Sequence, residues 1–336
     1  MSMGSNNSSH FKVGVVGLGK MGIMHACLLN VLPNVKVSAL CDKSRLMRII
    51  AKRAFRDALI TDSLEEFVDL SLDAIYVLTP IPSHYPIVKK IYVEDLAKHV
   101  FVEKTLSSNY PQSEELNLLS QKHFSVNMVG YMKRFGVTFN QAKTLLDEQV
   151  LGELISFDAY AFSSDFADVP EGSALSEARG GVLWDLGSHV VDLAVWFFGD
   201  LNVTSATVNS RIVPGSEDAV DFEVKGSNDF QGKFEVSWCK SGYHMPEFGL
   251  SIRGANGTLK VNDDEVKLEL KQGQPKKWYR QDLGDNVGFL LGGPEYYRED
   301  KHFIDSIVLG ESSRSNFKDA MKTDNLLEQV RRRVIQ

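Results

Sequence analysis

The apolar run Phe11-Lys12-Val13-Gly14-Val15-Val16 passes directly into Gly17-Leu18-Gly19-Lys20-Met21-Gly22. A strand-like run that ends in G-x-G-x-x-G constrains this chain more than any other feature, because each glycine meets a different steric demand. Gly17 permits a tight turn, Gly19 lets the backbone approach a pyrophosphate, and Gly22 lets the next helix pack closely on the strand. The helix N-terminus then offers unpaired N–H groups to the phosphates. Gly17, Gly19, Lys20, Met21 and Gly22 therefore form a candidate dinucleotide-binding loop. Asp42 follows Gly22 by twenty residues, at the end of a second apolar run. That position suits a bidentate hydrogen bond to a ribose 2′,3′-diol. The acid favours NAD, since it repels a 2′-phosphate, while Lys43 and Arg45 just behind it leave NADP open. The competing reading is a glycine-rich turn followed by a helix-capping Asp.

Similar short apolar runs recur at Lys36–Cys41, Ala74–Leu78, His99–Val102 and Ser125–Val129, with amphipathic stretches near 44–54, 83–93 and 110–122. Strands alternating with helices imply right-handed βαβ units and a parallel sheet covered on both faces. The texture changes near residue 130. Helices are expected at Asn140–Val150 and Trp184–Phe198, and elsewhere apolar and polar residues alternate with period two, as in Val220, Phe222, Val224 and in Phe234, Val236, Trp238. That pattern belongs to a largely antiparallel sheet with one apolar face. Two helical stretches, about 298–309 and 317–333, close the chain. The expected fold is α/β: a doubly wound Rossmann domain over 11–129, then an α+β domain over 130–336 with a large, mostly antiparallel open sheet. Residues 1–10 are read as a disordered tail.

Composition narrows the function classes. A length of 336 residues allows two cores, and the net charge of −7 argues against a broad basic surface for nucleic acid or an anionic membrane. Cys27, Cys41 and Cys239 are too few and too scattered for a disulfide framework, which fits a reducing, cytoplasmic compartment. No apolar run approaches the length of a membrane span, and the polar start lacks the apolar core of a secretory signal.

Three further segments carry chemistry. Thr79-Pro80-Ile81-Pro82-Ser83-His84 follows an apolar strand, and ligands of open α/β sheets bind beyond the carboxyl ends of strands. Thr79, Pro80 and His84 are therefore candidates for the cofactor cleft, with Ser83 as an N-cap; a surface position for His84 is the alternative. Glu103-Lys104 closes another strand. Lys104 suits a hydrogen bond to a substrate hydroxyl or the nicotinamide ribose, and Glu103 suits holding the lysine or the cofactor; an ordinary surface ion pair competes. Finally, Gly180-Gly181-Val182-Leu183-Trp184-Asp185-Leu186-Gly187-Ser188-His189 continues to Asp192. Asp185, His189 and Asp192 fall on one face of a regular helix. A histidine flanked by acids suits a general base near neutral pH. A helix-stabilising cluster and a metal site stay open as alternatives, although no second histidine or cysteine lies near to favour a metal.

In their order, VGLGKMG (16–22), TPIPSHY (79–85), VEKT (102–105) and GGVLWDLGSHVVDL (180–193), with GYMKRF (130–135) at the domain junction, resemble the glucose–fructose oxidoreductase / inositol dehydrogenase / rhizopine-catabolism (Gfo/Idh/MocA) family. The resemblance covers nearly the whole chain from residue 11. It implies a Rossmann domain followed by a substrate and oligomerisation domain, with helix 317–333 packing back on the Rossmann domain. It also implies a catalytic group of Lys104, Asp185 and His189. His189 would accept the proton of a substrate hydroxyl, Lys104 would hydrogen-bond that hydroxyl, and Asp185 would orient His189 or bind a neighbouring hydroxyl. Tyr131 and Arg134, and more weakly Tyr297, would line the substrate side, Arg134 contacting a carboxylate, a phosphate or the cofactor; interdomain packing competes for each. No metal is expected. The implied activity is NAD(P)-dependent hydride transfer between nicotinamide and a secondary alcohol of a sugar, polyol or sugar derivative. NAD-dependent glycoside hydrolysis and a non-catalytic dinucleotide sensor are the alternatives. The segment from Ser163 to Arg179 reads as a flexible lid, and the open sheet suggests a homodimer or homotetramer that buries an exposed apolar face. The family usually has proline after Glu-Lys, where this chain has Thr105. A cis bond before a residue other than proline is costly, so both isomers stay open here.

Overall fold

The computed structural model describes residues 10–167, 181–209, 217–285 and 293–335. The expected tail therefore lies outside the described residues except for His10, and most of the expected lid segment does too. The chain forms two units. The first holds the described residues up to Gly130 and those within Phe289–Lys318; the second holds those of Tyr131–Gly288 and Asp319–Gln336.

In the first unit, β1 (Phe11–Val16), β2 (Val35–Cys41), β3 (Leu59–Thr61), β4 (Leu72–Val77), β5 (Ala97–Glu103) and β6 (Asn127–Gly130) pair in the order β3-β2-β1-β4-β5-β6. Every pairing is parallel. Val13, Val15, Ile75, Val77, Val100 and Val102 are wholly buried, as expected where helices cover both faces of a sheet. The helices are α1 (Lys20–Val31), α2 (Arg45–Ala54), α3 (His84–Val93) and α4 (Tyr110–Lys122). Strand order reverses between β1 and β4, so the loops after these two strands open onto the switch point where such sheets bind ligands. Strand β3 escapes a sequence reading because three residues are too few to show a period.

The second unit contains α5 (Val137–Asp147), β7 (Leu154–Phe162), α6 (Ser188–Phe198), β8 (Asn202–Asn209), β9 (Ala219–Lys225), β10 (Gln231–Ser237), β11 (Glu247–Gly254), β12 (Gly257–Asn262), β13 (Glu265–Leu270) and β14 (Lys276–Tyr279). Its eight strands run β14-β13-β12-β11-β7-β10-β9-β8, antiparallel throughout except for β7 with β10. Alternate residues of each strand enter one core, where Phe222 stacks on Phe234 at 4.3 Å and Phe157 on Phe198 at 4.5 Å. Helix α6 is buried along its length except at Trp196 and Phe198, so it reads as nearly continuous apolar sequence.

Two expectations need correction. The last two helices are α7 (Pro294–Leu309) and α8 (Phe317–Ile335). The boundary does not fall once near 130: α7 groups with the first unit, and α8 from Asp319 onward groups with the second. The reason is side-chain chemistry. Phe303 of α7 sets its ring edge-on to Tyr76 (5.5 Å) and Phe101 (5.8 Å), and Ser313 and Ser315 donate to the carbonyls of Asn127 and Val129. In α8, Leu326, Leu327 and Val330 enter the second core, Gln329 accepts the Val203 N–H, and Lys322 pairs with Asp200. The open face of the large sheet mixes aromatic and charged residues, Tyr160 and Phe162 beside several ion pairs. It carries the pairs Lys233–Glu223, Arg253–Asp158 and Lys267–Glu265.

The second unit also buries a full ion pair. Arg134 is 1% exposed, and its Nε and Nη2 donate to Asp192 Oδ2 and Oδ1, both at 2.7 Å, while Thr323 Oγ1 donates to Oδ1 at 3.2 Å. Deleting one partner of a buried pair strands the other charge away from water. Arg134→Met is expected to destabilise the second unit by roughly 3–5 kcal/mol. In denaturant unfolding, adding Asp192→Leu to it should recover part of that loss; additive losses would show that the pair is not coupled.

Candidate functional site

The glycine loop of the first unit meets the demands of a phosphate cradle. Gly17 has φ +92°, and a Cβ there would lie 2.7 Å from the Leu78 carbonyl oxygen. A Cβ on Gly22 would lie 1.9 Å from the Gly17 carbonyl oxygen, whereas one on Gly19 would meet nothing within 4 Å. The loop is thus packed hard at both ends and open in the middle. Helix α1 begins directly after Gly19 with no side-chain cap and no acid in its first turn. Its first N–H groups and its dipole are left to an anion. Lys20 is exposed and Met21 half-buried in that turn.

Asp42 is already part of this architecture. Its Oδ2 accepts the Leu18 N–H at 2.5 Å and its Oδ1 the Ser44 N–H at 2.7 Å. A carboxylate has about four acceptor sites, so capacity remains for a ribose diol. Arg48 donates to the carbonyls of Asp42 and Lys43 and pairs with Asp62 at 2.9 Å, which commits its charge locally.

On the loop after β4, Ser83 does not cap the next helix as expected. Its hydroxyl donates backward to the Pro80 carbonyl at 2.6 Å, with Thr79 Oγ1 2.8 Å away. His84 is wholly buried rather than on the surface, with Nδ1 2.8 Å from the Thr105 carbonyl oxygen and Nε2 2.6 Å from that of Thr79. Burial pushes its pKa down against these two carbonyls. Its ring thus ties the Thr79 loop to the loop after Lys104. Lys104 is half-buried, its N–H donates to Glu103 Oε2 at 2.8 Å, and the Lys104–Thr105 peptide is cis.

In the second unit the expected helix start is a π-helical turn, Leu183–Gly187, which leads into α6. Such turns are rare and frequent at functional sites. Glu217 holds its beginning: its carbonyl accepts the Val182 N–H at 3.1 Å and its carboxylate the Leu183 N–H at 3.3 Å. Asp185 is half-buried within the turn. His189 is 7% exposed, its ring edge-on to Phe248 at 5.2 Å. The wider turn holds Asp185 outside the regular helix that carries His189 and Asp192, so the three do not continue one regular helical face. Asp192 binds Arg134 through both of its carboxylate oxygens. Among the described residues no group of three metal-ligating side chains forms.

The substrate-side candidates differ in their surroundings. Tyr131 is wholly buried, and the charge of Arg134 is committed to Asp192, so an anion-binding Arg134 is corrected to a structural one. Tyr297 lies half-buried in α7, among residues that group with the first unit and not with the second. Sequence reasoning passed over Glu217, which no motif marks, and over His25 and Asp300. The only signal for His25 was a polar residue on the buried stripe of α1 beside Gly22 and Ala26.

Comparison with known proteins completes the picture. Residues 11–131 match the family described as "Oxidoreductase family, NAD-binding Rossmann fold", and residues 139–260 match the "GFO/IDH/MocA C-terminal domain". A scyllo-inositol 2-dehydrogenase (NADP(+)), IolW, of Bacillus subtilis is 29% identical over 60% of this chain and 55% of its own length. An uncharacterized oxidoreductase, YdgJ, of Escherichia coli is 27% identical over 87% of this chain and 84% of its own. The chain spans little more than half the length of several curated relatives it matches. A levoglucosan dehydrogenase in complex with NADH and levoglucosan shares the fold, with a TM-score of 0.86 at 20% identity over 97% of each chain. No described helix is long and apolar enough to cross a membrane. With both of its domains matched, and with the glycine loop built to the family's pattern, the chain belongs to the Gfo/Idh/MocA family of oxidoreductases.

Proposed function

We propose that this chain is an NAD-dependent dehydrogenase that oxidises a secondary alcohol of a sugar, polyol or sugar derivative. The observation that carries the reading is the open cradle at Gly19 below an uncapped helix, with Asp42 pinned beside it. Gly17, Gly19, Lys20, Met21, Gly22, Asp42, Thr79 and Pro80 would hold the dinucleotide, while Glu103, which accepts the Lys104 N–H, holds the lysine's turn. When bound, the nicotinamide supplies the carbon that accepts hydride. The chain's own residues handle the proton. His189, its ring steadied on Phe248, takes the proton of the reacting hydroxyl; Lys104 hydrogen-bonds that hydroxyl and favours its ionisation; Asp185 orients the imidazole or a neighbouring hydroxyl. Relatives named as scyllo-inositol and myo-inositol dehydrogenases support the substrate class.

The same reading places the protein in the cytoplasm, where its three free thiols need no oxidant. It assembles as a homodimer or homotetramer through the large sheet, by matched charges rather than an apolar face. Light scattering that gives the monomer mass at micromolar concentration would refute that assembly.

A screen with NAD and NADP against inositols, other polyols, aldoses, levoglucosan and nucleotide-sugars tests the activity. Turnover with at least one alcohol is expected, and His189→Ala or Lys104→Ala should lower kcat roughly 10²–10⁴-fold while NADH affinity changes little. Full turnover in both variants would remove the assigned roles; a free sugar released without net NADH would point to glycoside hydrolysis; saturable NADH binding without turnover would point to a sensor.

Asp42 is the coenzyme selector in this reading. Asp42→Asn should weaken NAD binding roughly 10- to 100-fold, the worth of a charge-assisted hydrogen bond, and narrow the gap to NADP. Equal losses for both coenzymes would mean that Asp42 serves only to pin the loop.

A further inference from the structure

A cluster of ionisable side chains lies in the interior of the first unit, behind the turn that carries Lys104. His25 of α1 is wholly buried. Its Nδ1 is 2.8 Å from Asp300 Oδ1 of α7, and its Nε2 is 3.5 Å from Glu103 Oε1 at the end of β5. The second oxygen of Glu103 accepts the Lys104 backbone N–H at 2.8 Å. Aromatic rings wall the cluster: Phe101 at 5.3 Å, Tyr296 at 5.8 Å and Tyr76 at 6.0 Å from the imidazole. The groups that face His25 are thus Asp300 and Tyr296 from α7, Glu103 from β5 and Tyr76 from β4, with Glu299 adding negative charge near both tyrosines.

Charge and hydrogen-bond capacity decide the state of this ring. Nδ1 is hydrogen-bonded to Asp300, while Nε2 lies 3.5 Å from Glu103 Oε1, beyond a good hydrogen bond but within reach of charge attraction, so a doubly protonated ring suits both sides. Two carboxylates in a dry interior also need a counter-charge, and His25 is the cation between them. Burial opposes that charge, yet Asp300 and Glu103 outweigh it and hold the His25 pKa up to about 10. Burial pushes the Tyr76 phenol up, so it stays neutral beside them.

We infer that His25, set between Asp300 and Glu103, is a positioning residue: it keeps the Glu103 carboxylate aimed at the Lys104 N–H, and so sets the backbone from which the lysine side chain projects. Without His25 the Glu103 carboxylate loses its neighbour on that side and can turn away, and the Lys104 amide then loses its acceptor. The inference deepens the dehydrogenase reading and rests on it for the role of Lys104.

The test uses the full chain. In ¹⁵N-histidine-labelled protein, the His25 ring, identified by its loss in His25→Gln, should show both nitrogens protonated from pH 6 to 8.5. Hydrogen exchange should find the Lys104 amide protected in the wild type and exposed in His25→Gln, with the Leu18 amide unchanged. With the alcohol that the substrate screen selects, His25→Gln should lower kcat roughly 10- to 100-fold with little change in the KM for NAD, as expected when a reacting group is displaced. A ring with one N–H that titrates near pH 6.5 overturns the inference. So does a His25→Gln protein that is less stable but keeps Lys104 protection and wild-type kcat. Should His25→Gln not fold, the wild-type ring still decides its charge, and Asp300→Asn tests the link, since Lys104 protection should persist while the ring titrates at lower pH. If no alcohol is turned over, the dehydrogenase reading fails by itself, and ring and amide measurements still decide this one.

Discussion

The first unit depends on one contact that has no side chain in it. Where α1 crosses the end of β1, the Cβ of any residue at 22 would enter the Gly17 carbonyl oxygen at 1.9 Å. With glycine there, the helix starts close to the strand, and the Gly17 N–H can bond the Cys41 carbonyl at 2.8 Å. The first turn of α1 then points its N–H groups over the open position 19, and Asp42 closes the loop from the side through Leu18. The same close approach lowers His25, one turn further on, into the space between β5 and α7. A methyl group at 22 would disturb the phosphate cradle and the buried cluster together, because both hang from one helix.

The second unit solves a different problem. Its sheet has a single covered face, so its helices must bring polar residues into a core already filled by strands. Arg134 and Asp192 do so as a matched bidentate pair, the geometry that best offsets the loss of water. Asp185 lies in the π-helical turn, outside the regular helix that carries Asp192.

Much of this was legible in the residues. Period and punctuation announce both sheets: the near-continuous apolar runs of β1, β4 and β5 and the alternation in β9 and β10 are direct images of two-sided and one-sided burial. G-x-G-x-x-G was legible because its steric demands are local. Spacing misled at Asp185, since an ideal helical face assumes a regular helix, and at Asp192 and Arg134, which are partners across 58 residues. The attachment of α7 was invisible for the same reason. Phe303, Asp300 and Ser315 look like an ordinary amphipathic segment until Tyr76, His25 and Val129 stand opposite them.

That attachment bears on the order in which the molecule is made. Synthesis delivers the six strands of the first sheet within the first 130 residues, but Asp300, the counter-ion of His25, and Phe303, the cover over Tyr76 and Phe101, emerge only after the whole second sheet. Until then the first 130 residues lack both the cover over Tyr76 and Phe101 and the Asp300 partner of His25. The two units are therefore not beads added in sequence: the earlier one is completed from the far end of the chain, and its final dry interior is among the last parts to close.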